Sequence, residues 1–124
     1  MVFSDLGRAA SFMALDWVQA ALGRCLGSAP YPGTLNVKLD TDEARELWRA
    51  VRSERAGIPL AAPDSAHCQA RCFLVEIEGN WRGAVVLPEV ADYPADKVEV
   101  AAAVRLKDAL GLADGQRVTL EFVD

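Results

Sequence analysis

Residues 72–78, Cys-Phe-Leu-Val-Glu-Ile-Glu, and 82–87, Arg-Gly-Ala-Val-Val-Leu, are two apolar, β-branched runs hinged on Gly79-Asn80. That is the pattern of adjacent strands joined by a tight hairpin turn. A lone hairpin is unstable in water, so this pair requires further strands or a helix to cover it. Further strands are predicted at 35–39, where apolar and polar residues alternate, at 98–100, and at 117–123 beyond a tight turn at Asp114-Gly115. Residues 57–67 contain two prolines and few large apolar side chains beyond Ile58 and Leu60, and read as a loop or covering flap.

Helical spacing is confined to three short stretches. In 13–26 the stripe is Phe12, Leu15, Val18, Leu22 and Leu26, with Gly27 placed to end the helix and Trp17 read as packing. In 42–52 the start is capped by Asp40 or Thr41, acids fill the first turn and arginines the last. In 104–110 the stop is Gly111. Many short strands with few, brief helices favour a small closed barrel over a layered α/β sheet, and leave an α+β sandwich nearly as good a description.

Length and composition bound the function classes. A chain of 124 residues is read as a single domain, 1–124, large enough to bury a real core. An apolar fraction of 52% with 25% charged residues is that of a soluble globular protein. A net charge of −5 opposes nucleic acid as a partner, because phosphate neutralisation requires a basic surface. No apolar run approaches the ~18–20 residues that span a bilayer, and no charged-then-apolar export signal begins the chain, so no membrane partner is expected and the cytoplasm is the default compartment. Three cysteines, Cys25, Cys68 and Cys72, form an odd set that speaks against a disulfide framework. A zinc site on His67, Cys68 and Cys72 would still lack a fourth ligand, and one cysteine buried in a strand with another in a loop is the favoured reading.

Pro30-Tyr31-Pro32-Gly33-Thr34-Leu35-Asn36-Val37 sets a rigid turn directly before a hydroxyl and a carboxamide two residues apart. Side chains at i and i+2 of a strand share a face, where these two can jointly hold a hydrated cation or a phosphate. Taken alone, the eight residues are an ordinary turn before they are a site. Glu99 is a strand carboxylate able to orient an alcohol or take its proton, or else an exposed strand glutamate. Arg105 and Lys107, near the start of a short helix, suit an anion as well as they suit a solvated helix face.

With these blocks in hand, the chain resembles the CTP-dependent riboflavin kinases, a family best known from archaea. The resemblance runs through Leu6-Gly7-Arg8-Ala9-Ala10-Ser11-Phe12, Gly33-Thr34-Leu35-Asn36 after Pro30-Tyr31, Gly83-Ala84-Val85-Val86-Leu87-Pro88, and Val98-Glu99-Val100 leading to Val104-Arg105-Leu106-Lys107. It closes with Leu110-Gly111-Leu112-Ala113-Asp114-Gly115-Gln116-Arg117-Val118, so nearly the whole chain is covered. It implies a mainly β fold with short helices, a six-stranded barrel of the cradle-loop type. It implies transfer of the γ-phosphoryl group of CTP to riboflavin, giving FMN and CDP, so that riboflavin/FMN and CTP/CDP are the partners. Residue by residue, it implies magnesium on Thr34 and Asn36, and nucleotide on Leu6, Gly7, Arg8, Ala9, Ala10, Ser11, Val104, Arg105, Leu106 and Lys107. It places flavin at Ala91 and Glu99, with Glu99 in the catalytic role at the accepting hydroxyl.

The chain departs from the family pattern at identifiable points. Asp5 and Ala9 stand where the nucleotide loop has glycine, so that only Gly7 remains; Ala91 replaces a threonine and Ala103 a proline. Only Met1-Val2-Phe3 precede the loop, where the family has a full strand, and an unsatisfied barrel edge is the expectation. These departures keep a second reading open, a flavin- or nucleotide-binding module without turnover on the same barrel. A third, an interaction protein related to barrel-like DNA-binding folds, is opposed by the acidic balance.

Overall fold

A computed structural model describes residues 1–3, 16–60, 70–88 and 93–123. Within them one antiparallel sheet is built from β1 (Val2–Phe3), β2 (Leu35–Lys38), β3 (Ile58–Leu60), β4 (Ala70–Ile77), β5 (Trp81–Pro88), β6 (Lys97–Ala101) and β7 (Leu120–Phe122). Neighbours run β1-β2-β6-β5-β4-β3, and β7 also pairs β4. β4 is long enough to serve two partners on one edge: its first residues meet β3 (Leu60 opposite Ala70) and its last meet β7 (Ile77 opposite Leu120).

The sheet curls until its edges meet. The Val2 N–H donates to the Gln116 carbonyl at 2.8 Å and the Gly115 N–H donates to the Val2 carbonyl at 2.8 Å. Because 115–116 leads into β7, the ring β1-β2-β6-β5-β4-β7 returns on itself, with β3 laid alongside on β4. Although β1 is only two residues long, it is bonded on both sides, to β2 and to 115–116. The unsatisfied edge expected there does not occur.

Side-chain alternation sorts the residues into two cores. Inside the curl lie Val2, Leu35, Val37, Phe73, Val75, Ile77, Val85, Leu87, Val98 and Val100, joined by Leu106. Helix α2 (Asp42–Glu54) contributes Trp48 and Val51 to that interior. Trp48 meets Phe73 edge-on at 5.5 Å and stacks on Phe122 at 5.8 Å. Thr41, one of the two expected caps, starts this helix: its hydroxyl accepts the Ala44 N–H at 3.1 Å. On the other face of the sheet, α1 (Asp16–Leu26) presses Val18, Ala21, Leu22 and Leu26 against Leu60, Ala70, Cys72, Ala84, Val86 and Ala101. Covering both faces explains why Ala84-Val85-Val86-Leu87 is continuously apolar rather than alternating. Trp17 packs against this second core, and Gly27, at φ +78, closes α1 by donating to the Gly23 carbonyl at 2.9 Å. The part of the predicted helix before Asp16, with Phe12 and Leu15, lies outside the described residues.

Several expectations are corrected. Ile58–Leu60 is an edge strand rather than loop, since Ile58 and Leu60 alternate about Pro59 and an edge strand tolerates the N–H that proline lacks; residues 61–69 lie outside the described set. The hairpin turn has its left-handed pair at Glu78 (φ 52) and Gly79 (φ 72), one residue before Gly79-Asn80. A glutamate rarely adopts that conformation. Here Glu78 is held twice, its N–H donating to the Thr119 carbonyl at 2.9 Å and its carboxylate accepting the Thr119 N–H at 2.8 Å. The third helix, α3 (Leu106–Ala109), is a single turn. Cys72 is buried in β4 as expected, and Cys25 is on α1, within the predicted helix, its Sγ 3.7 Å from that of Cys72; Cys68 and His67 lie outside the described residues. No helix among the described residues is long and apolar enough to cross a membrane.

Two consequences are measurable. A Cβ on Gly83 would sit 2.7 Å from Ile77 Cδ1 and 2.9 Å from the Ala101 carbonyl. Gly83→Ala therefore pushes β5 away from β6 and is expected to cost about 1–3 kcal/mol in denaturant unfolding. Burial, and then the neighbouring Cys25, pushes the Cys72 thiol from 9.0 up to about 12. The unfolded thiol ionises first, so its contribution to stability is whole below pH 9.0 and is lost as pH rises toward about 12. Stability of the wild type should fall more steeply over that window than that of Cys72→Ala, as followed by urea unfolding at stepped pH.

Candidate functional site

Local geometry builds the site from the proline turn outward. The Gly33 N–H donates to the Tyr31 carbonyl at 2.8 Å across Pro32, a three-residue turn that the fixed proline φ favours. The Tyr31 N–H donates to the Ala102 carbonyl at 2.7 Å, which ties this turn to the end of β6. Residues 30–34 and the segment entering 104–107 therefore stand at the same end of the β2–β6 pair.

From that anchor the ladder fixes what faces what. Leu35 lies opposite Val100, Asn36 opposite Glu99 and Val37 opposite Val98. Leu35, Val37, Val98 and Val100 all belong to the interior, so Asn36 and Glu99 point together to the outer face. They are the buried polar residues of the described chain, 9% and 8% exposed. Glu99 is thus not the solvated strand glutamate that the sequence left open. Its Oε2 accepts the Tyr93 hydroxyl at 2.8 Å, and the Lys97 ammonium is 3.8 Å from its Oε1.

Thr34 Oγ1 and Asn36 Oδ1 are sealed from solvent, and neither has a hydrogen-bond partner among the described residues. Leaving a polar atom in that condition costs about 1–3 kcal/mol, so two such oxygens two residues apart call for a reason. Neutral hydroxyl and carboxamide oxygens are donors that a hard cation of the magnesium class accepts. The donor chemistry and the missing partners both fit such an ion. Among the described residues there is no group of three or more His, Cys, Asp or Glu side chains that would hold a metal in another way.

The 104–107 block divides by side chain. Leu106 is buried in the interior and anchors the segment. Arg105 pairs with Asp108 at 2.6 Å and Lys107 with Asp114 at 2.8 Å. With α3 only one turn long, the capacity of this block for an anion rests on those two side chains more than on a helix terminus. Val104 is exposed. Leu6, Gly7, Arg8, Ala9, Ala10, Ser11 and Ala91 lie outside the described residues, as does Asp5. Two cavities of about 510 and 390 Å³ lie elsewhere, between α2 and the β2–β7 end and beside β3; none of Thr34, Asn36 and Glu99 lines them.

Sequence reasoning missed Tyr93 and Lys97. The signal for Lys97 was present, because it stands at i−2 from Glu99 on one strand and must share its face. Tyr93 lies in an irregular connection where no periodicity says which way a side chain turns.

Known proteins resemble this chain over nearly its whole length. Residues 2–122 match a family model, CTP-dep_RFKase, described as "Domain of unknown function DUF120". A protein of Aeropyrum pernix named riboflavin kinase is 38% identical, over 99% of this chain and 92% of its own. Proteins with the same name from Pyrobaculum islandicum and Methanococcoides burtonii are 34% and 36% identical over 98% and 99% of this chain. The chain spans only 57% and 55% of the length of those two. By the extent of the family match and of these identities, the chain belongs to the CTP-dependent riboflavin kinase family.

Proposed function

We propose that this protein is a riboflavin kinase, moving the γ-phosphoryl group of CTP to riboflavin to give FMN and CDP. The observation that carries the reading is the Asn36–Glu99 register, which puts a buried carboxylate directly across from a carboxamide whose oxygen has no partner among the described residues. Phosphoryl transfer asks little covalent chemistry of a protein and much positioning and charge compensation. Thr34 Oγ1 and Asn36 Oδ1 would hold magnesium, which would offset the negative charge of the phosphates.

The remaining roles follow from what each side chain can do. Arg105 and Lys107 exchange Asp108 and Asp114 for the more highly charged phosphates, and Gly7, with its neighbours from Leu6 to Ser11, lets backbone approach the nucleotide. Glu99 accepts a hydrogen bond from the 5′-hydroxyl of riboflavin and takes its proton. The hydroxyl oxygen bonds to the γ-phosphorus as the bond to the β,γ-bridging oxygen breaks, and CDP leaves with that electron pair. Ala91 borders the flavin. Burial of Asn36 and Glu99 keeps water from competing as acceptor.

One observation favours a second reading. Asp5 and Ala9 stand where the family pattern has glycine, and Asp5 adds a negative charge, which suits a module that binds flavin without turnover.

Both readings meet in one assay, in which the purified chain is incubated with riboflavin, magnesium and each of four nucleoside triphosphates and the product is read by chromatography. FMN is expected with CTP and little with ATP, and chelation of magnesium should abolish it. Thr34→Val and Asn36→Ala should each lower kcat by about 100-fold or more. Thr34→Val should at the same time leave ligand-free stability unchanged or raise it by up to about 1 kcal/mol, since it removes an unpartnered hydroxyl. Riboflavin-dependent thermal stabilisation without FMN from any nucleotide would select the binding module.

A further inference from the structure

The neighbours of Glu99 carry a role that neither the family match nor the metal and nucleotide assignments supply. We propose that Tyr93 and Lys97 are positioning residues that act through Glu99, fixing its carboxylate in the one orientation that meets the accepting hydroxyl. The inference rests on the kinase reading above and deepens it.

Three contacts form a closed brace. The Tyr93 hydroxyl donates to Glu99 Oε2 at 2.8 Å, the Lys97 ammonium is 3.8 Å from Glu99 Oε1, and that same ammonium lies 5.6 Å from the centre of the Tyr93 ring. The two neighbours grip different oxygens of one carboxylate, so rotation about its terminal bond breaks at least one contact. Lys97 reaches Glu99 from the same face of β6, two residues away, while Tyr93 comes from the connection before that strand, so the grip is two-sided. Lys97 and Glu99 are both largely shielded, with side chains 16% and 11% exposed. In that setting an ion pair is screened far less than at the surface, and a glutamate left without its partners would be free to turn.

Each carboxylate oxygen has more than one acceptor direction, so a hydroxyl can still be bound while both neighbours stay in place. The brace thus leaves Glu99 aimed and available. Across the ladder, Asn36 and Val86 bring no charge to compete, and Lys38, opposite Lys97, is exposed.

Tyr93→Phe tests the hydroxyl alone, because the ring that faces Lys97 is kept. It should lower kcat about tenfold and raise the riboflavin KM while leaving the KM for CTP within about twofold. Lys97→Met should act in the same direction and Lys97→Arg should restore most of the loss. The decisive measurement is a double-mutant cycle on riboflavin affinity, read by quenching of flavin fluorescence: Tyr93→Phe weakens binding about fivefold in the wild type and by less than about twofold in the Glu99→Gln background. An equal loss in both backgrounds, or a Tyr93→Phe variant that matches the wild type in kcat and affinity, overturns the proposal. Melting temperatures of the variants separate this from general damage. If the wild type binds riboflavin but makes no FMN, the kinase reading fails while the cycle still decides the brace; if it binds no riboflavin, both fall.

Discussion

The antiparallel register between β2 and β6 is the constraint on which the rest depends. Side chains on a strand alternate with period two, so a slip of one residue would turn Asn36 and Glu99 into the apolar interior and Val37 and Val98 out to water. Apolar burial alone enforces the parity. The ends of the pair are clamped as well: the Tyr31 N–H donates to Ala102 at one end, and at the other the Leu39 N–H donates to Asp96, both at 2.7 Å. The proline turn is thereby more than a linker. By stiffening 30–33 it sets the phase in which Thr34 and Asn36 arrive.

A polar site can exist on this sheet because the outer face changes character along it. Over β4, β5 and the end of β6, small residues such as Ala70, Ala84 and Ala101 let α1 pack closely and the face is apolar. At Val86 opposite Glu99 that cover meets the polar row. The interior core on the other side supplies the stability against which the site is held, since the oxygens of Thr34 and Asn36, without a partner among the described residues, and the buried carboxylate of Glu99 each cost the ligand-free protein. Groups kept in that condition against their own stability are where function is to be sought.

What could be read from the sequence was what is local. The β4–β5 hairpin, the Thr41 cap, the Gly27 stop and the Val18-Leu22-Leu26 stripe all follow from neighbours within a few residues. What escaped depends on partners far along the chain. Two residues suffice for β1 because 115–116 bonds to its far side; Glu78 sits in a left-handed turn because Thr119 holds it; Ile58–Leu60 is a strand because β4 has a spare edge. Glu99 was legible as a carboxylate on a strand. Its burial and its Tyr93 contact were not, because neither a register nor the direction of an irregular connection is written in periodicity.

The same distant contacts link the closure of the barrel to the 104–107 block. Lys107 pairs with Asp114, and the next residue, Gly115, donates to Val2 and helps bring the sheet edges together. On the far side of that closure Arg117 pairs with Asp40 at 2.9 Å. Ion pairs this open to solvent are worth about 0–1 kcal/mol, too little to hold a barrel shut; the backbone bonds of 115–116 and the packing of Leu106 do that. The pairing of Lys107 is therefore cheap to exchange. On the proposed kinase reading, a lysine resting on a nearby carboxylate is kept in place, yet a triphosphate, with more charge and more acceptor oxygens, takes it over while the fold around it stays put.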